Sequence, residues 1–255
     1  MKRVRIIPSL LIRKGGLVKS VKFKDHKYVG DPINAVKIFN EKEVDEIVIL
    51  DISATAEKRP PNIQQIKEIA SEAFMPLGYG GGVTSLEEIK TLISAGVEKV
   101  ILNASALNRP GLISEGAGYV GSQSIVVSID VKKDLWGKYK VYGQNGTKNT
   151  GLDPLSFAQQ VEKAGAGEIL LNSVDRDGTF KGYDLDLISL VSGAVSIPVV
   201  AIGGASSAED FTAAIHAGAS AAAAGSLFVF QRPHRAVLIS YPTQTELKKK
   251  VFEKI

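Results

Sequence analysis

The sequence contains no cysteine, so it can form no disulfide, thiolate metal site or thiol nucleophile. No apolar run approaches the ~20 residues of a membrane-spanning helix. The stretch from Met1 to Leu11 is short and leads straight into an apolar segment, unlike a signal peptide. An excess of one charge is nearly absent too. Lys+Arg 31 against Asp+Glu 27 leaves +4, part of it in the terminal run Lys248-Lys249-Lys250. With no basic stripe and no aromatic platform, nucleic acid is not an expected partner. Anionic small molecules remain compatible. The three histidines, His26, His216 and His234, have no ligand spacing, so neither a metal nor any other cofactor is expected. These absences point to a cytoplasmic protein without a membrane or nucleic-acid partner.

What the sequence does hold is a repeating plan. Eight short apolar runs predict strands over Val4–Ile12, Glu46–Asp51, Met75–Tyr79, Lys99–Asn103, Ser124–Asp130, Glu168–Asn172, Pro198–Ile202 and Ala221–Gly225. Helices are expected between them. Asp31-Pro32 and Asp153-Pro154 each open one, with an N-cap residue followed by Pro in the first turn. The others fall at 63–74, 86–95, 109–119 (a weaker pattern), 184–195, 208–217 and 245–253. Arg13 to His26 reads as a long loop bearing Gly and Lys. Lys132 to Thr150 breaks the rhythm: Trp136, Tyr139, Val141 and Tyr142 alternate with polar residues, and Asn145-Gly146 is a turn dipeptide, so a β-ribbon insertion is expected there.

Continuous apolar strands alternating with helices imply a parallel sheet covered on its outside. At 255 residues, eight such units fit a single (β/α)8 TIM barrel spanning 1–255. An open doubly wound sheet is the competing architecture. The barrel is favoured because the chain repeats itself at a constant offset. Gly81-Gly82 falls on Gly203-Gly204, Asp31-Pro32 on Asp153-Pro154 and Glu46 on Glu168, each 122 residues apart. Two similar half-barrels account for this.

The glycine turns carry the first chemical reading. Each copy puts bare backbone N–H groups after a strand and before a helix, which is a way to hold a phosphate. Asn103-Ala104-Ser105 and Gly225-Ser226 follow one strand later in each half. Two sites imply a ligand with a phosphate at each end. Gly178, in Asp175-Arg176-Asp177-Gly178-Thr179, could join the second. Asp51 and Asp130 end strands at the rim where barrel chemistry gathers, and Asp130 is the candidate general acid or base. Helix capping competes for Asp51, and turn formation for Asp175 and Asp177. At the opposite strand ends, Arg5, Glu46, Lys99 and Glu168 could form one paired charged ring. Four unrelated solvated charges are the alternative.

These residues resemble a known family. The segments DEIVILDISAT, MPLGYGGGVTSLEEI, GVEKVILNASAL, GSQSIVVSID, SVDRDGTFKGYDLDLI and SIPVVAIGGA are similar to the cyclase subunit of imidazole glycerol phosphate synthase, the HisF family, and the likeness covers essentially the whole chain. The resemblance implies a barrel that receives ammonia from a HisH-type glutaminase docked on its N-terminal face. Arg5, Glu46, Lys99 and Glu168 would be the gate on the ammonia path. It also implies a bis-phosphorylated substrate, with Lys19 in the loop after strand 1 among its contacts.

One departure matters. The family's aspartate on strand 1 is replaced by Leu11, which neither accepts nor donates a proton; Asp130 on strand 5 is kept, and Asn172 stands where threonine is usual. This pattern resembles the HisF-type paralogues of surface-polysaccharide gene sets, which pair with a glutaminase and pass ammonia toward amidation of a sugar, such as acetamidino formation. An authentic histidine-pathway cyclase and a non-catalytic ammonia conduit are the other two readings.

Overall fold

The computed structural model describes residues 3–231, 234 and 236–255. Eight parallel strands form the centre: β1 (Arg5–Arg13), β2 (Ile47–Asp51), β3 (Leu77–Gly80), β4 (Lys99–Leu102), β5 (Ile125–Lys133), β6 (Glu168–Ser173), β7 (Val199–Ile202) and β8 (Ala221–Ala224). Each pairs with the next, and β8 returns to β1 through Arg5↔Ala221 to Pro8↔Ala224. The sheet is therefore closed: a (β/α)8 barrel, not an open doubly wound sheet.

Seven helices link successive strands on the outside: α1 (Pro32–Glu41), α2 (Ile63–Glu72), α3 (Leu86–Ser94), α4 (Gly111–Val120), α5 (Pro154–Lys163), α6 (Leu185–Ser192) and α7 (Ala208–His216). The two halves use the same start signals. Asp31 accepts from Asn34 N at 2.9 Å and Asp153 from Ser156 N at 2.9 Å, each ahead of a Pro that needs no donor of its own in the first turn.

Alternation along the strands separates two cores. Outward residues such as Ile6, Leu10, Ile49, Val100 and Val127 pack under the helices. Inward residues Ile7, Val48, Ile101, Val126, Leu170, Val200, Ala221 and Ala223 make a second, separate apolar cluster inside the barrel. That inner belt divides the barrel axis into an N-terminal face and a C-terminal mouth.

The segment after β1 departs from expectation. It is no loop but an antiparallel hairpin, Gly16–Val21 paired with Lys24–Gly30 and joined to the end of β1. Its turn runs through Lys22 and Phe23, both at positive φ (51° and 62°), without the Asn or Gly that ordinarily marks such turns. The ribbon after β5 forms as expected. Tyr139–Gly143 pairs with β5 from Asp130↔Tyr142 to Lys133↔Tyr139, and Lys148–Asn149 adds a short third strand. Between those two strands, Asn145 Nδ2 donates to Ile52 O at 2.9 Å, laying the ribbon's turn over the mouth.

The C-terminal element also differs. Gln244–Leu247 is an α-turn that widens into a π-turn at Lys248–Phe252. The wider turn lets Leu247, Val251 and Phe252 all face the core while Lys248, Lys249 and Lys250 stay exposed.

Candidate active site

The mouth holds a cavity of about 740 Å³, within the range of small-molecule sites. It is lined by Leu11, Leu50, Asp130 and Asn172, by Gly81, Gly82, Asn103 and Ala104, and by Phe23 and His26 from the hairpin and Asn145 from the ribbon. A second, narrow pocket of about 40 Å³ adjoins it. Lys19, Asp177, Gly178, Gly203, Gly204, Gly225 and Ser226 line this one, which shares Leu11, Leu50 and Asn172 with the first. The two glycine repeats therefore stand at two linked pockets of one mouth.

The glycines have a backbone reason as well. A Cβ on Gly81 would meet Asp51 O at 2.4 Å, and one on Gly204 would meet Gly182 O at 2.2 Å, with φ at +127° and +109°. No other residue fits either place. Past each pair, a helix start is fixed by an acidic side chain. Glu88 accepts from Thr84 N and Ser85 N, and Asp210 accepts from Ser206 N and Ser207 N. Asn103 precedes the single helical turn Ala104–Asn108, and Gly225 precedes Ser226–Val229.

Asp130 sits on β5 beneath the ribbon, buried. Burial pushes its carboxyl up to about 7, against hydrogen bonds from the Asn103 and Asn172 amides, while the charge of Asp177 adds to the rise. Asn103 Nδ2 lies 3.2 Å from its Oδ2 and 2.9 Å from Ser128 O. A carboxyl poised there holds or gives up a proton near neutral pH.

Leu11 belongs to β1, four strands away in either direction round the barrel, so it stands on the opposite wall. It pairs with Leu50 on β2. These two put apolar side chains on the strands facing Asp130, beside Ser9 of β1 and Lys19 and Ser20 of the hairpin.

Asp51 is at the rim, but both its oxygens are engaged. Oδ1 accepts from Ser53 N, Ser53 Oγ and Ala54 N, at 3.0, 2.9 and 3.1 Å. Oδ2 accepts from Arg59 at 3.1 Å. It organises the turn after β2 and caps no helix, since Asn62 caps the one that follows. Lys19 is on the hairpin, fully inside, and its Nζ donates to Ser9 O. Burial brings the amine down to about 8, opposed by the charge of Asp177. Asp177 is raised by its own burial, against Lys19 and Ser20.

At the other end of the barrel, Arg5, Glu46, Lys99 and Glu168 meet. Lys99 Nζ lies 2.8 Å from Glu46 Oε2 and 2.7 Å from Glu168 Oε2, and Arg5 bonds both carboxylates from the other side. Both glutamates are buried. Burial alone would raise Glu168, but the Arg5 and Lys99 contacts outweigh it and hold it below the usual carboxylate value. Burial opposes the charge of Arg5, and its two glutamates outweigh that and raise it. The ring is a closed, neutral set of two cations and two anions, not four solvated charges.

Among the neighbours in the mouth that escaped the sequence reading are Ser20, Phe23, Arg59 and Ser128. Ser128 was findable, because it lies two residues before Asp130 on one strand and so shares its face. Arg59 reaches Asp51 only through the fold of the turn. Among the described residues, no cluster of His, Asp or Glu could hold a metal ion. No helix of the described residues is long and apolar enough to cross a membrane.

A closed parallel barrel with a buried carboxyl and glycine-rich turns at its C-terminal mouth defines a (β/α)8 scaffold of the enzyme kind. The family model described as "Histidine biosynthesis protein" matches residues 5–233. The chain is 52% identical over 248 residues to a Pseudomonas aeruginosa protein provisionally named imidazole glycerol phosphate synthase subunit hisF2, covering 97% of this chain and 99% of that one. It is 47% identical over 248 residues to a provisionally named HisF of Leptospira interrogans, covering 96% and 98%. It is 46% identical over 225 residues to the imidazole glycerol phosphate synthase subunit HisF of Alkaliphilus metalliredigens, covering 88% and 89%. The chain belongs to the histidine biosynthesis protein family, in its HisF branch.

Proposed function

We propose that this chain is the ammonia-using barrel subunit of a glutamine-dependent pair, and that its chemistry has moved away from cyclisation toward amidation of a phosphorylated sugar in surface-glycan synthesis. The observation that carries this reading is Leu11 on the wall facing Asp130, above an intact charged ring. Cyclisation needs a proton acceptor and a proton donor on opposed sides of the substrate. With Leu11 and Leu50 on the strands facing Asp130, the carboxyl that the opposed wall would supply is missing.

A glutaminase subunit is the partner that fits the N-terminal face. Arg5, Glu46, Lys99 and Glu168 gate the passage of ammonia, a small neutral molecule that an apolar belt admits and ions do not cross. In the mouth, Gly81, Gly82, Asn103 and Ala104 hold one phosphate. Lys19, Gly178, Gly203, Gly204, Gly225 and Ser226 hold the second, with Asp177 setting the charge of Lys19. Asp51 keeps the rim in place through Arg59. Asp130 gives or takes the proton as ammonia adds.

Authentic cyclase activity is the second reading, favoured by the 46% identity to the Alkaliphilus metalliredigens HisF over most of both chains. A growth test separates them. Expressed in a bacterium lacking its own cyclase subunit, this chain is expected not to restore growth without histidine. Restored growth would overturn the first reading and install the second.

A further inference from the structure

Two buried side-chain atoms among the described residues have no hydrogen-bond partner: Ser9 Oγ and Asn172 Oδ1. Their residues are 2% and 7% exposed, and both line the narrow pocket. A buried polar atom left unpaired costs about 1–3 kcal/mol. Two of them facing one pocket call for a ligand there.

The chemistry of that ligand follows from the amide's orientation. Asn172 stands in register with Asp130 across β5 and β6. A carboxylate only accepts, so the amide nitrogen serves Asp130 and the oxygen turns away. It turns toward Gly203, where an added Cβ would lie 3.0 Å from Oδ1. A carbonyl oxygen repels a phosphate oxygen. This corner of the pocket therefore takes a hydrogen-bond donor rather than an anion.

Its position in the barrel narrows the choice. Along β1 the inward positions run Arg5, Ile7, Ser9; along β6 they run Glu168, Leu170, Asn172. Ring, apolar belt and orphaned acceptors are stacked two residues apart. Four residues separate ring from acceptors, roughly 13 Å of strand. Ser128 faces inward at the level of Leu170, and above it Ser9 Oγ and Asn172 Oδ1 are the buried acceptors left unpaired. The pocket's room of about 40 Å³ exceeds the ~10–15 Å³ that one water-sized molecule needs, so a small donor held by Ser9 and Asn172 leaves the glycine rim for the phosphate.

We propose that Ser9 and Asn172 form an ammonia-binding station at the top of the apolar belt, beside Asp130. Two N–H groups of ammonia reach Ser9 Oγ and Asn172 Oδ1, and its lone pair is left for an electrophile in the large cavity. The station rests on the ammonia-delivering reading above.

The test uses the whole chain alone, with no glutaminase and no substrate. The Asp130 carboxyl carbon is titrated by NMR in ammonium chloride, sodium chloride and tetramethylammonium chloride at equal ionic strength. Near pH 7 the species in solution is ammonium, whose N–H groups fit the same two acceptors and which becomes ammonia by passing one proton to the Asp130 carboxylate. While bound as the cation it favours the charged carboxylate. Its midpoint is expected to fall by on the order of half a pH unit in ammonium relative to sodium. Tetramethylammonium has no N–H and is too large, so it should match sodium. Asn172→Leu or Ser9→Ala should abolish the ammonium-specific difference, whatever either does to the midpoint itself. Equal midpoints in ammonium and sodium for the unaltered chain would overturn the proposal, as would an undiminished difference in both variants. Should Asn172→Leu fail to fold, Ser9→Ala decides alone. Because no second subunit is present, a failure of glutaminase coupling leaves this result standing.

Discussion

Removing Lys99 tests whether the ring at the N-terminal face acts as one paired unit. In Lys99→Ala, Glu46 and Glu168 lose contacts of 2.8 and 2.7 Å and must share Arg5 alone. The set changes from neutral to one excess negative charge, with both carboxylates still buried. Breaking a buried pair by deleting one partner costs about 3–5 kcal/mol. The side chains of Lys99 and Arg5 are 19% and 32% exposed, so water offsets part of this. We expect about 2–3 kcal/mol lost at pH 7, or roughly 4–10 °C in melting temperature. The pH dependence gives the sharper sign. Glu168 is held below its ordinary 4.5, so its pairing stabilises the fold above that value and is lost as pH falls through and below it. The gap between the two proteins should be full at pH 7 and shrink below about pH 4.5. Lys99→Met, of similar length, should restore packing but not the loss. Chemical unfolding at pH 7 and pH 4 reads all of this. Equal stability at pH 7, or a gap that does not change with pH, would refute the paired ring.

Two further substitutions probe the mouth. Asp130→Asn removes a carboxyl raised to about 7, whose neutral burial is free at low pH and whose ionisation costs stability as pH climbs from 3.8 toward 7. Relative to the unaltered protein, the variant should gain about 2 kcal/mol between pH 5 and pH 7.5 in chemical unfolding, and a constant difference would contradict the burial argument. Ser226→Asp places a carboxylate at the half-buried start of the second small-residue turn, where backbone crowding does not forbid a side chain as it does at Gly204. It should weaken binding of a bis-phosphorylated ligand at least tenfold by calorimetry, and unchanged affinity would place the second phosphate elsewhere.

Much of the fold was legible because the signals were strong and redundant. Eight apolar runs, two Asp-Pro helix starts and one offset shared by Gly81, Glu46 and Asp31 all require the same closed sheet. The ring was legible too, since Arg5, Glu46, Lys99 and Glu168 sit at equivalent strand starts. The hairpin after β1 was not. Lys22 and Phe23 adopt left-handed backbone without a turn residue to announce it, and the exposed Lys24, Lys27 and Tyr28 disguise the strand that follows. Asp51 was half legible. Its place at the rim follows from the strand, but its engagement by Ser53, Ala54 and Arg59 depends on how the next turn folds back. The orphaned Ser9 and Asn172 could not be read from sequence, because a missing partner is a property of three dimensions.

The central claim is that Leu11 has taken cyclisation away while the scaffold and ammonia path remain. The most direct measurement supplies the cyclase substrate and excess ammonium salt, without a glutaminase, to the unaltered protein and to Leu11→Asp. The account predicts that the unaltered protein binds the substrate without turnover and that Leu11→Asp turns it over. Rapid turnover by the unaltered protein would contradict the claim.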